Sequence, residues 1–291
     1  MQYGISILLS GISLGGQYAL IAIGYTMVYG ILRLINFAHG DVFMAAGLIM
    51  VYLSASLPIG VALPLMILLT VLLGFVIERA AYKPLRSAPR MSVMISAIGV
   101  SYLLQNTATY VTGGQPMTYP SIGILNQTIN IVGTSTKLVV IITPVLVLVL
   151  IVLLTQLINH TKIGMAMRAV SKDFETARLM GIKINNVISM TFVIGSALAV
   201  VGSILYFTTY PAITPTAGAM PGLKAFVAAV FGGIGSIPGA FLGGLLLGII
   251  EALAKAYIST TLANAIVFAV LIVVLLVKPA GLLGKYVPEK V

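Results

Sequence analysis

The chain has 291 residues, of which 59% are hydrophobic and only 8% charged, far below the roughly 25% charge of an ordinary soluble domain. That composition excludes a soluble globule and leaves a helical protein that crosses the membrane several times, with no soluble domain of useful size. The balance of 16 Lys and Arg against 6 Asp and Glu, a formal +10, is therefore read as membrane topology, with no role in binding nucleic acid.

A hydrocarbon core about 30 Å thick needs roughly 20 helical residues. In chain order, uncharged apolar stretches run over Ile5 to Leu32, Ile59 to Ile77, Met91 to Val111, Leu138 to Ile158, Ile188 to Tyr206 and Leu262 to Val277. Weaker candidates are Val42 to Leu57, Leu223 to Phe231, and Ala240 to Tyr257 with Glu251 and Lys255 inside. The expectation is an all-α, polytopic protein of about nine membrane segments, eight to ten, forming one domain over residues 1–291. No Lys or Arg precedes the first apolar run, so that run is expected to be retained rather than cleaved.

Charge orients the bundle. With the C-terminus in the cytoplasm, 13 of the 16 basic residues face inward: Arg33; Arg79, Lys83, Arg86 and Arg90; Lys162, Arg168, Lys172, Arg178 and Lys183; and Lys278, Lys285 and Lys290. The N-terminus is then outside, and Lys137, Lys224 and Lys255 lie on the outer side. Between Thr112 and Lys137 a polar, Gly-containing segment is placed to connect two spans or to cap the external mouth.

Small residues mark where helices pack. Gly235, Gly239 and Gly243 recur every four residues, as do Gly244 and Gly248, while Gly195, Ala199 and Ser203 form a second strip. Backbones meeting along such strips gain dispersion contacts that lipid cannot replace. Helix breakers at Tyr210 to Pro215 and Phe231 to Ala240, and the polar interruption Asn36 to Asp41, are breaks able to flank a pathway. Asn36, His39 and Asp41 are the candidate pathway residues. The first break is expected at the inner side and Tyr210 to Lys224 at the outer, and Asp41 in the first turn of a helix, where backbone amides favour a carboxylate. Glu251 and Lys255, four apart in the favourable order, are expected to pair.

Hydrolytic chemistry finds no support. There is no cysteine, no His-x-x-x-His pair and no Gly-x-x-x-x-Gly-Lys-Ser/Thr loop, so no catalytic residue, metal site or cofactor is expected, and any nucleotide hydrolysis belongs to another chain. A proton-driven carrier would need a relay of acids or histidines that the spans lack.

The inner loop over residues 159–186 is the most informative. Ser171 is read as an N-cap, Asp173 and Glu175 as first-turn acids, Arg178 as a late base and Gly181 as a left-handed terminator, specifying a helix of two to three turns. Such a helix is too short to stand alone. Phe174, Ala177 and Met180 offer an apolar side to dock either on the bundle or on a cytoplasmic partner.

Glu175-Thr-Ala177-Arg-Leu-Met-Gly181 resembles the Glu-Ala-Ala-x-x-x-Gly loop of ABC importer permeases, departing at Thr176 and lacking the downstream Ile-x-Leu-Pro near Thr191. With Tyr18 to Asp41, Ile77 to Arg86, Thr191 to Gly195 and Ala229 to Ala240, the chain from about Gly11 to Gly284 resembles the LivH-type permeases of high-affinity branched-chain amino acid importers. The resemblance implies an ABC importer transmembrane domain in the cell inner membrane. It also implies a LivM-type permease as second subunit, two cytoplasmic ATPase subunits and a periplasmic substrate-binding protein. Ser171, Asp173, Phe174, Glu175, Ala177, Arg178 and Gly181 would then form the ATPase-coupling helix. Related permeases carry urea or short amides, so cargo stays open between these and Leu, Ile or Val; a stand-alone secondary carrier and a channel are the remaining alternatives.

Overall fold

The structure, a computed structural model, describes residues 2–86, 88–131 and 134–284. Lys285 and Lys290, assigned above to the inner face, lie outside the described residues. Among the described residues eleven α-helices form: α1 (Gln2–Leu32), α2 (His39–Ser56), α3 (Ile59–Ile77), α4 (Arg90–Thr112), α5 (Leu138–His160), α6 (Lys162–Lys172), α7 (Phe174–Leu179), α8 (Ile184–Thr209), α9 (Ala219–Gly232), α10 (Ile237–Tyr257) and α11 (Ala263–Val277). A π-helical turn over Glu78–Tyr82 extends α3.

All nine apolar stretches read from the sequence fall on helices. Among the described residues six helices, counting α3 with its extension, are long and apolar enough to cross a membrane, and α9 and α11 are shorter apolar helices. The most apolar of the long helices, α3 and α5, lie at the periphery with Leu68, Leu72, Val145 and Val152 exposed, whereas α1 and α8 are buried in the centre. That inversion is expected where lipid is the surrounding solvent, because apolar side chains have no reason to hide from it.

The centre is built on small residues. A Cβ added at Gly15 of α1 would come within 2.7 Å of the Leu245 Cα on α10, and one at Gly244 within 2.7 Å of the Ala19 Cα. On its other side α10 turns Gly239 and Gly243 toward Gly232 and Ala228 of α9, so two glycine strips on one helix serve two neighbours. Gly195 of α8 faces Gly24 of α1 and the His39 ring. Gly235 departs from this expectation: it sits in the α9–α10 connection at φ 94° with open space where a Cβ would be, so it turns the chain instead of packing a helix.

Two small ribbons interrupt the helical plan at one end. Within the polar segment after α4, β1 (Met117–Thr118) pairs antiparallel with β4 (Ala212–Ile213), Met117 opposite Ile213, while β2 (Thr128–Ile131) pairs with β3 (Thr134–Lys137) as a hairpin. The segment thus ties the α4–α5 connection to the chain between α8 and α9. At the opposite end, the backbone amides of Leu282 and Leu283 donate to the carbonyls of Phe231 and Gly232, binding the C-terminal stretch to the end of α9.

The two interrupted regions reach in from opposite ends of the bundle, Leu34 from the end that carries Arg86 and Phe174 and Ile213 from the end that carries the β1–β4 ribbon. The starts of α2 and α9 meet inside the bundle: a Cβ at Gly222 would lie 2.8 Å from the Gly40 Cα, and both glycines are buried. Each break lets its chain enter the bundle partway and begin a helix there. Sequence distance concealed this, because contacts between residues 180 positions apart leave no periodic signature.

Candidate functional site

The loop between α5 and α8 holds two helices, not one. Thr161 opens α6 by accepting a bond from the Gly164 amide at 3.1 Å, and Gly164, Met167 and Val170 form its buried stripe. Ser171 belongs to the last turn of α6, where its hydroxyl donates to the Arg168 carbonyl at 2.9 Å, so its expected role as N-cap is corrected. The cap of α7 is Asp173, extended at φ −155° and ψ 119°. Its Oδ1 accepts from the amides of Glu175 at 2.9 Å and Thr176 at 3.3 Å, and Thr176 Oγ1 donates to its Oδ2 at 2.5 Å. The Thr176 hydroxyl first, then these amides, holds the exposed Asp173 carboxyl below the usual carboxylate range. A side-chain oxygen two residues closer to the helix outcompetes Ser171 for the same amides.

At its other end α7 stops as expected. Gly181 takes φ 80°, and the amides of Gly181 and Ile182 donate to the carbonyls of Arg178 and Ala177 at 3.0 and 3.1 Å. With six residues, α7 is shorter than the expected two to three turns. Its faces also differ from expectation. Ala177 is buried and packs α7 onto the bundle, while Phe174, Glu175 and Arg178 are exposed. The outward apolar tip is Leu179 and Met180, 87% and 79% exposed.

Beside α7 opens a cleft of about 710 Å³, lined by Phe174, Arg178 and Lys183 on one side and by Arg86 and Arg90 on the other. Arg86 donates to Asn185 at the start of α8 and forms an ion pair with Glu78, a fully buried acid that also accepts from Ser189 Oγ at 2.8 Å. The α3–α4 connection and the start of α8 are therefore locked together directly above α7. Sequence reading missed Glu78 because its partners lie on other helices.

The candidate pathway residues are brought near the α2 start but each engages a different neighbour. Asn36 Oδ1 accepts from Tyr82 Oη at 2.8 Å. The His39 ring packs edge-on against Tyr25, centroids 5.0 Å apart, and its Nε2 is buried without a hydrogen-bond partner among the described residues. Asp41 lies in the first turn of α2 as expected, but it is buried and held from α4 by Ser101 Oγ at 2.5 Å and Gln105 Nε2 at 3.0 Å; no side chain caps that helix.

A second buried cluster sits where α1, α9 and α10 meet. Glu251 pairs with Lys255 at 2.6 Å, as expected from their spacing, and also with Lys224 of α9 at 2.7 Å, while Tyr18 of α1 donates to its second oxygen at 2.9 Å. The sequence showed only the local half of this arrangement.

The apolar helices long enough to span a bilayer, joined by polar loops, define a polytopic helical membrane protein. The chain matches the family model "Branched-chain amino acid transport system / permease component" over residues 7–275, and it belongs to that family. It is 43% identical to the high-affinity branched-chain amino acid transport system permease protein LivH of Salmonella typhimurium strain LT2, covering 99% of this chain and 98% of the relative. It is 42% identical to LivH of Escherichia coli strain K12 over the same shares. With BraD of Pseudomonas aeruginosa it shares 42% identity over 98% of this chain and 97% of that protein.

Proposed function

We propose that this chain is the LivH-type permease subunit of an ABC importer that moves branched-chain amino acids into the cytoplasm. It would work with a LivM-type permease, two ATPase subunits and a periplasmic binding protein in the inner membrane. The near full-length likeness to LivH and BraD supports the cargo. The observation that carries the mechanism is the Leu179–Met180 tip: two large apolar side chains held outward on a capped turn, beside a basic cleft.

The chain crosses nine times, with its N-terminus outside. Arg86, Arg90, Arg168, Arg178 and Lys183 line cavities at one end of the bundle, the end that also carries the α9–α10 connection, which supports the positive-inside orientation. The tip and its flanking Glu175 and Arg178 dock in the ATPase subunit. Burying Leu179 there contributes about 2 kcal/mol. Closure of the ATPases pulls α7, and only four residues separate it from α8, so the displacement enters the helix bundle with little slack. The Glu78–Arg86–Asn185 lock carries the same displacement into α3 and α4. Asn36, His39 and Asp41, at the start of α2, would feel it as a change in which neighbours they hold.

The test is assembly. Expressed with its partner subunits and placed in vesicles, the chain should take up leucine only when the ATPases and binding protein are present and ATP is supplied on the cytoplasmic side. Concentrative uptake by the purified chain alone overturns the proposal.

A further inference from the structure

The cavity between α1, α8, α9 and α10 measures about 320 Å³, within the range of small-molecule sites. It lies toward the end of the bundle opposite α7, where α8 and α10 terminate at Thr209 and Tyr257. Its charged lining residues are Lys224, Glu251 and Lys255, two cations against one acid.

The acid is saturated and the cations are not. Glu251 Oε1 accepts from both lysines and Oε2 accepts from Tyr18. Lys224 Nζ bonds Glu251, with Tyr18 Oη at 3.4 Å as its next partner, and Lys255 Nζ is bonded to Glu251 alone and is 40% exposed. One lysine would neutralise Glu251. The second leaves a surplus positive charge in the cavity. Lys224 also lies in the second turn of α9, whose amino-terminal end adds positive potential to the same space. Leu14 and Met220 add apolar lining to the cavity, and Tyr206 and Tyr210 line it with aromatic rings, groups that attract cations.

We infer that this cavity binds the carboxylate of an α-amino acid on Lys255 and Lys224, with its apolar side chain against Leu14 and Met220. The inference rests on the function proposed above and narrows its cargo, because urea and short amides carry no carboxylate to answer the surplus charge. The phosphate of an anionic lipid headgroup offers the same kind of oxygen, and the experiment separates the two.

In the fully assembled importer in vesicles, Lys255→Gln removes the surplus charge and leaves the Lys224–Glu251 bond. Loss of one charge-assisted bond should lower leucine uptake about tenfold. Lys255→Arg should restore it to within about twofold, since the guanidinium keeps the charge, and the melting temperature of Lys255→Gln should match the unsubstituted protein. Uptake by the unsubstituted assembly that Lys255→Gln leaves intact overturns the site alone, whereas no uptake by the unsubstituted assembly overturns the functional proposal first. A lowered melting temperature would give Lys255 a purely structural role and also overturn the site. Uptake in vesicles of neutral lipid equal to that with phosphatidylglycerol supports the amino acid as occupant; a requirement for phosphatidylglycerol that disappears with Lys255→Gln assigns the cavity to lipid.

Discussion

Gly40 and Gly222 occupy each other's side-chain space: a Cβ on Gly40 would stand 2.9 Å from the Gly222 Cα, and a Cβ on Gly222 would stand 2.8 Å from the Gly40 Cα. Neither backbone can accept even a methyl without separating the starts of α2 and α9. Gly222→Val should therefore destabilise the permease by about 1–3 kcal/mol through overpacking, read as a lowered melting temperature in detergent. Gly60, with open space around it, is the control, and Gly60→Ala should melt normally. An unchanged melt for Gly222→Val would mean that the two helices do not meet as described.

Leu179→Asp should weaken capture of the ATPase subunits without touching the fold. The side chain is 87% exposed, so its loss costs the free permease little, but removing roughly 2 kcal/mol of burial in the complex corresponds to about 30-fold in affinity. Pull-down of ATPase from solubilised membranes measures it. Equal capture at matched expression would move the docking contact away from the α7 tip.

Asp173 predicts a pH window. Its carboxyl is held below the ordinary value by Thr176 and by the amides it caps, so the ionised form favours the folded loop. That stabilisation is complete above the unfolded value near 3.9, and it is lost as pH falls through the still lower folded value. Hydrogen exchange at the Glu175 and Thr176 amides should stay slow from neutral pH to about pH 4, once corrected for intrinsic rates, and quicken only in stronger acid. Asp173→Ala should exchange fast throughout. Protection lost between pH 5 and 7 would contradict the cap.

Glu78→Ala should be among the most damaging single changes at the α7 end of the bundle. It leaves Arg86 facing an emptied pocket and removes the acceptor for Ser189, and breaking a buried pair typically costs about 3–5 kcal/mol. Arg86→Ala should also destabilise, by leaving the buried carboxylate uncompensated. Thermal melting of the purified permease checks both; a Glu78→Ala protein as stable as the original would remove the lock from the coupling route.

Much of the fold was legible because membrane helices announce themselves locally. The nine apolar stretches, the Glu251–Lys255 spacing and the terminator Gly181 all depend on residues within a few positions of one another. Ser171 and Asp173 show the limit: both are good caps, and only the docking of α6 through Met167 and Val170 decides that the chain breaks at Asp173. Ala177 was read as a docking residue because it shares a helical side with Phe174 and Met180, yet a helix of under two turns twists Met180 outward while Ala177 is buried. Lys224 beside Glu251, Glu78 beside Ser189 and Gly40 beside Gly222 are encounters between distant segments, and composition holds no trace of them.

The pairing of Met117 with Ile213 makes a strap across the end of the bundle opposite α7. Whatever rests on the segment between α4 and α5 also bears on the chain that leads into α9, five residues before Gly218 contacts α2. Anything seated there would hold one end of the same rod, α8, whose other end follows α7, so the two ends of the bundle can sense each other through a run of about 30 residues without any messenger in between.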